Sequence, residues 1–303
     1  MKNKYDLAII GGGPAGMTAA IYAARYKLST VIIGESFGGT ANEAHWVENW
    51  PGEKSISGID LMQKFKEHVD SFDVKSDSGT VKELSKDNGN FIINTGSDTY
   101  QSNSIILALG TKRRQLNVKG EQEFLGKGVS YCAHCDAFFF RNKTVAVVGG
   151  NDAAAQAALV LAEHAKKVHI VYRKECLRCE PVWHDRIKKT ENIEIINNSE
   201  ITEIHGENVV THVTLSNGDT LNTDGVFIEI GSVPNYALVE NLGVKTDEQG
   251  YIEVNTEQET NVPGVFAAGD LTRGSIDFKQ IVVAAAHGAT AAFSAFQYQK
   301  KNE

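Results

Sequence analysis

The chain is short of positive charge. Its 303 residues carry 30 Lys and Arg against 38 Asp and Glu, a formal net charge of -8, so no basic face is available to displace counterions from a nucleic-acid backbone. The densest basic cluster, Lys112-Arg113-Arg114, reads as a solvated linker. Long hydrophobic runs are also lacking. The nearest approach, 281–296, is broken by His287, Gly288 and Thr290, which argues against a membrane span. The N-terminus enters a strand by Tyr5 without a signal-type apolar segment, so a cytoplasmic protein is expected. His45, His164, His184 and His287 fall at no metal-ligand spacing. Cysteine is scarce: four residues, arranged as two C-x-x-C pairs, Cys132/Cys135 and Cys176/Cys179. In a reducing compartment such pairs indicate redox chemistry or metal binding rather than structural staples.

What remains is an ordinary globular composition, 42% hydrophobic, long enough for about two domains. The strongest local pattern is Asp6-Leu-Ala-Ile-Ile-Gly11-Gly12-Gly13-Pro14-Ala15-Gly16, an apolar strand that runs into a G-x-G-x-x-G turn and continues as a helix from Met17 to Arg25. Such a turn brings backbone close to a pyrophosphate and aims the free N–H groups and positive dipole of the helix at it. Glu35 follows the next strand, Thr30 to Gly34, at the spacing of an acid that binds ribose hydroxyls. A second unit repeats the plan: strand Thr144 to Val148, then Gly149-Gly150-Asn151-Asp152-Ala153-Ala154, a helix from Ala155 to His164, and strand Val168 to Tyr172 leading to Arg173, Lys174 and Arg178. An internal duplication of a dinucleotide-binding fold is the economical reading.

Shorter strands are predicted at 90–94 and 104–109 in the first half and at 200–205 and 209–215 in the second, with Asn217-Gly218-Asp219 as a hairpin turn. Near the end, Asn261 to Asp270 reads as a short strand and tight turn before a final helix from about Lys279. With no βαβ unit of its own, that segment is expected to fold back onto the first domain. The chain would then cross between domains near 110–120 and 231–250, two crossings that can serve as a hinge. Between the two glycine turns lies Cys132-Ala133-His134-Cys135-Asp136, a dithiol and an acid beside nucleotide-binding machinery. That juxtaposition points to electron transfer, with a structural zinc half-site or inert buried thiols as the bland readings.

Together these motifs, with Glu48 to Gly52, Ala108 to Thr111 and Gly264 to Asp270, resemble the low-molecular-weight thioredoxin reductase family over essentially the whole chain. The resemblance implies an α/β protein of two Rossmann-like dinucleotide-binding domains, the second inserted in the first. Residues 1–112 and 246–303 would bind FAD, and 113–245 would bind NADPH and carry the dithiol. It further implies a homodimer whose substrate is a thioredoxin-like protein, with no membrane or nucleic-acid partner. Carried onto this sequence, Gly11, Gly13, Pro14, Ala15 and Gly16 would meet the FAD pyrophosphate and Glu35 the adenosine ribose. Gly39, Thr40, Asn49, Ala108, Gly110, Gly269, Asp270, Lys279 and Gln280 would complete the FAD site, with Thr40 standing where many relatives have Gln. Cys135 would take electrons from the flavin, Cys132 would attack the partner's disulfide, and Asp136 would move protons, a role that suits a carboxyl of raised pKa. One disulfide cannot face the flavin and a bulky partner at once, so the middle domain would change position during turnover.

The second nucleotide site departs from the family's G-x-G-x-x-A pattern, because Asn151 occupies the position of the middle glycine. Downstream, Tyr172-Arg173-Lys174 and Arg178 replace the family's His-Arg-Arg-x-x-x-Arg clamp, three cations suited to a 2′-phosphate or equally to a solvated face. NADPH is the favoured donor, with ferredoxin feeding the flavin directly as the rival. A flavin-binding redox sensor without turnover is the non-enzymatic alternative. Cys176 and Cys179 have no counterpart in the family pattern and read as an incidental pair or as an auxiliary disulfide gating the clamp.

Overall fold

The computed structural model describes residues 3–302 except 88, 236, 237, 239, 276 and 277. The chain forms two compact units, 1–112 with 233–303, and 113–232.

The first unit is built on a seven-stranded sheet. At its centre β1 (Lys4–Ile10) lies parallel to β2 (Thr30–Ile33) on one side and β6 (Thr99–Leu107) on the other, with Leu7 opposite both Thr30 and Ser104. Leu7 to Ile10 are buried without alternation, as expected of a parallel strand covered on both faces. β3 (Lys75–Asp77) extends the sheet beyond β2. β6 takes two further partners in succession. Its first half pairs antiparallel with β5 (Asn90–Asn94), which continues to β4 (Glu83–Asp87), and its second half pairs parallel with β17 (Val265–Ala267), Val265 lying opposite Ile105. The late segment thereby joins the sheet of the first βαβ unit.

Helix α1 (Pro14–Arg25) starts on a proline, whose fixed φ suits a first helical position. It packs on α6 (Ile281–Asn302) through small side chains, Ala19, Ala20 and Ala23 against Ala291, Ala292 and Ala295. The approach is close enough that a Cβ at Gly288 would fall 2.1 Å from the Ala15 carbonyl oxygen. Because α6 begins at Ile281, Lys279 and Gln280 precede the helix rather than opening it. α2 (Gly58–Asp70) is capped by Ser57, whose hydroxyl oxygen accepts the Asp60 N–H at 3.0 Å. No described helix is long and apolar enough to cross a membrane.

The second unit holds a five-stranded, wholly parallel sheet in the order β11-β10-β9-β15-β8. Its strands are β8 (Val129–Ser130), β9 (Thr144–Val148), β10 (Lys167–Tyr172), β11 (Ile193–Asn197) and β15 (Gly225–Ile228). The dithiol follows β8 in α3 (Ala133–Asp136), α4 (Asp152–Ala162) connects β9 to β10, and α5 (Pro181–Lys188) connects β10 to β11. A three-stranded antiparallel meander, β12 (Ile201–Gly206), β13 (Val210–Leu215) and β14 (Thr220–Asn222), precedes β15, and the Asn217-Gly218-Asp219 turn joins its last two strands.

The two crossings pair with each other as β7 (Thr111–Arg113) and β16 (Ser232–Pro234). On the return the division between the units falls at 232–233, and Leu238, Leu242 and Val244 pack against the core of the first unit around Ile252 and Leu271.

Candidate active site

In both units the candidate residues sit at the carboxyl ends of parallel strands, where an open α/β sheet presents its ligand-binding crevice. In the first unit, Gly11 leaves β1, Glu35 follows β2, Ala108 follows β6, and Gly269 and Asp270 follow β17. The turn is tight: a Cβ at Gly11 (φ +122°) would fall 2.0 Å from the Ala108 carbonyl oxygen, and one at Gly16 would fall 1.9 Å from the Gly11 carbonyl oxygen. A Cβ at Gly39 would lie 3.4 Å from the Gly13 Cα, and one at Gly269 would lie 3.0 Å from the Ala15 Cβ. One turn therefore gathers Gly11, Gly13, Ala15, Gly16, Gly39, Ala108 and Gly269. Glu35 and Thr40 are exposed beside it. Gly110 follows at the end of the same β6 connection.

The far side of this site is polar. The Asn49 side-chain amide donates to Gln280 Oε1 at 2.9 Å, joining the 48–52 loop to the residues that lead into α6. Lys279 Nζ donates to the Tyr251 hydroxyl at 2.8 Å. Burial pushes the Asp270 carboxyl above its ordinary value, and the positive charge of Lys279 draws it part of the way back.

In the second unit the same sheet edge carries two groups of candidate residues. Gly149 leaves β9, Arg173 leaves β10, and Cys132 follows β8, two strands or about 10 Å along the edge from β9. Cys132 and Cys135 are joined by a disulfide with their Cα atoms 5.3 Å apart, and Cys132 Sγ accepts the Cys135 N–H at 3.2 Å. Cys132 and Asp136 are partly buried, whereas Cys135 and His134 are exposed. Ser130 anchors the strand end by accepting the Cys132 N–H at 3.0 Å.

Around the second glycine turn, a Cβ at Gly149 would fall 2.3 Å from the Glu229 carbonyl oxygen, the counterpart of the Gly11 contact, and one at Gly150 would meet the Tyr172 ring at 2.4 Å. The cation loop is pinned to this turn. Arg178 N–H donates to the Gly150 carbonyl at 2.7 Å, and Glu180 N–H donates to Asp152 Oδ1 at 2.7 Å. Arg173, Lys174 and Arg178 are exposed, and among the described residues none forms an ion pair. Asn151 caps α4, its Oδ1 accepting the Ala154 N–H at 3.1 Å. Cys176 and Cys179 are free thiols, and burial, then the charge of Asp152, pushes the Cys179 thiol up.

Several residues at this edge carried no sequence signal. Phe138 and Phe139, three and four residues beyond Cys135, are 63% and 69% exposed, an apolar tip on the surface. Glu121 is 1% exposed and accepts the N–H groups of Leu116 and Asn117 at 2.8 and 2.6 Å and the hydroxyl of Tyr131, next to Cys132. Arg113 at the first crossing pairs with the buried Glu229 at 2.8 Å.

The sequence profile described as "Pyridine nucleotide-disulphide oxidoreductase" matches residues 5–288. The chain belongs to this family. Among curated pyridine nucleotide-disulphide oxidoreductases it is similar to the thioredoxin reductase of Bacillus subtilis (strain 168), with 42% identity over 97% of this chain and 94% of that protein. Among solved structures it is similar to Lactococcus lactis thioredoxin reductase, at TM-score 0.94 and 37% identity over 98% of this chain and 99% of that one. It is also similar to T. acidophilum thioredoxin reductase, at TM-score 0.93 and 40% identity over 99% and 100%.

Family membership implies FAD and a pyridine nucleotide as cofactors. The first site fits FAD: a Cβ at Gly13 would meet nothing within 4 Å, leaving room for a pyrophosphate. Pro14 has no N–H, so Ala15 and Gly16 are the first donors that α1 offers there. The second site has the tight turn and the cations that suit a pyridine nucleotide, with the Asn151 side chain capping the α4 N-terminus.

Proposed function

We propose that this oxidoreductase is a thioredoxin-disulfide reductase that passes electrons from NADPH through FAD to Cys132/Cys135 and on to a thioredoxin-like protein. The observation that carries the reading is a closed Cys132–Cys135 disulfide on the same sheet edge as a nucleotide-type turn, flanked by the exposed Phe138 and Phe139. FAD, when bound, supplies the two-electron relay between nicotinamide and dithiol. The first unit would hold it through Gly11 to Gly16, with Glu35 toward the ribose, Gly39, Thr40, Asn49, Ala108, Gly110 and Gly269 lining the site, and Asp270, Lys279 and Gln280 at its polar side. In the second unit Gly149, Gly150 and Asn151 meet the pyridine nucleotide, and Arg173, Lys174 and Arg178 meet its 2′-phosphate.

Cys135 takes the electrons that reduce the pair. The Cys132 thiolate then attacks a sulfur of the partner's disulfide, forming a mixed disulfide and releasing one partner thiolate. Cys135 attacks Cys132 in turn, closing their bond again and releasing the second partner thiolate, so the partner leaves as a dithiol. Asp136 supplies and removes the protons that the departing and attacking sulfurs need.

Steady reduction of a thioredoxin by NADPH tests the proposal. Cys135→Ser is expected to give a yellow protein whose flavin NADPH still bleaches while turnover is lost; sustained turnover by this variant refutes the assigned route. Asn151 favours a second reading in which ferredoxin is the donor, and anaerobic titration with NADPH, NADH and reduced ferredoxin separates these by flavin bleaching. A redox sensor without turnover fails on any steady cycling. Assembly as a homodimer is supported by the exposed Tyr22 and Phe293, which flank the stacked Tyr26 and Phe296 rings, and sedimentation velocity checks it. Free thiols at Cys176 and Cys179 fit a reducing compartment such as the cytoplasm.

A further inference from the structure

The two glycine turns are internal repeats, so each position in one has a counterpart in the other. Gly13 caps α1 at φ -77°, ψ -175°, and Asn151 caps α4 at φ -95°, ψ -176°. Both are extended conformations open to any residue, so neither position needs glycine for its backbone. What glycine contributes at position 13 is space, since a Cβ there would meet nothing within 4 Å and α1 has no side-chain cap. At position 151 the same backbone carries an amide side chain into the corresponding space. That side chain is also engaged, because Oδ1 accepts the Ala154 N–H at 3.1 Å, and Ala154 is the counterpart of Gly16. One of the few free donors of the α4 N-terminus is thus already bonded within the protein.

We propose that Asn151 is the residue that sets pyridine-nucleotide affinity, its side-chain carbonyl occupying the place and the hydrogen bond that the first turn leaves open for a pyrophosphate oxygen. The inference rests on the reading of the second unit as the NADPH site. Nucleotide binding requires Asn151 to swing away from Ala154, so the loss of one helix cap is charged against every binding event. Arg173, Lys174 and Arg178 are exposed and take no part in the Asn151 cap.

The test is calorimetric titration of the FAD-loaded protein with NADP+, which reports binding without turnover. Asn151→Gly is expected to bind NADP+ about five- to tenfold more tightly than wild type, the worth of one cap bond. Asn151→Ala frees the same N–H but keeps a Cβ, so a smaller tightening in the same direction is expected, and it decides the matter if the glycine variant does not fold. Equal affinity in all three proteins overturns the proposal and leaves the NADPH reading intact. Weaker binding by the variants also overturns it, by showing that the amide assists the phosphate. Absence of binding by wild type and both variants overturns the proposal and the NADPH reading together. Binding by the variants alone supports the proposal and assigns wild type to a different donor.

Discussion

The buried carboxylate of Glu121 accepts the hydroxyl of Tyr131, the residue that precedes Cys132. Glu121 also accepts the Leu116 and Asn117 N–H groups, so one side chain ties the entry loop of the second unit to the strand end that presents the dithiol. Burial, then the bond to Glu121, holds the Tyr131 phenol above its usual range. Glu121→Ala strands three donors in the interior and is expected to cost about 3 kcal/mol, whereas Tyr131→Phe removes one bond to a charged acceptor and costs about 1.5 kcal/mol. Urea unfolding of the FAD-loaded variants, followed by circular dichroism, checks both the size and the order.

Phe138 and Phe139 project from the 3-10 turn that directly follows the dithiol, and only Ala137 and Phe140 of that turn are buried. Two large exposed aromatics beside a nucleophilic sulfur are suited to dock a partner protein around its own disulfide. The double variant Phe138→Ala/Phe139→Ala is expected to raise the KM for thioredoxin by about tenfold or more while the rate of flavin reduction by NADPH stays at the wild-type value. A loss confined to flavin reduction would instead assign the two rings to cofactor or nucleotide binding.

Both glycine turns and the dithiol are legible in the sequence because each is written locally: an apolar strand, a glycine turn or a C-x-x-C spacing, and a small-residue helix. The relation between them is not local. Val129–Ser130 is a strand of two residues, too short for any periodic signal, yet its pairing with β15 is what puts Cys132 on the same edge as Gly149. Leu238, Leu242 and Val244 are apolar residues that either core could accommodate, so the sequence marks the return crossing only as a broad stretch, 231–250. Glu121 in a charged loop reads as a solvated residue. Only the folded chain brings Tyr131 and two backbone N–H groups to it.

Asp270 links pH to stability. Its carboxyl is raised from 3.8 mainly by burial, so the folded state binds this proton more tightly than the unfolded state does. The contribution of this proton to stability is complete below the unfolded value of 3.8 and is lost as pH rises through the folded value, which makes the ionised side chain a cost at neutral pH. In FAD-free protein, Asp270→Asn is therefore expected to raise the melting temperature at pH 7, with the gain shrinking toward zero as pH falls to about 4. The same variant is expected to bind FAD more weakly, so a melting series with and without FAD should show opposite signs at pH 7. A variant that melts lower than wild type in both series would mean that Asp270 is held by partners that outweigh its burial.

The cation loop offers the sharpest separation of NADPH from NADH. Arg178 is held beside the second turn by its own N–H bond to Gly150, and Glu180 is tied to Asp152, so the loop is positioned before any nucleotide arrives. Arg173, Lys174 and Arg178 stand exposed with their charges uncommitted to acidic partners among the described residues. A 2′-phosphate placed there gains charge-assisted bonds that a bare ribose hydroxyl cannot make. Arg178→Ala is expected to raise the KM for NADPH about tenfold and to leave that for NADH within about twofold. Because the loop is exposed, the NADPH preference of the wild type should also decline as ionic strength rises, and Arg178→Ala should flatten that dependence. Equal losses with the two nucleotides would mean that Arg178 supports the turn through its backbone bond rather than reading the phosphate, and would return the three cations to the role of a solvated face.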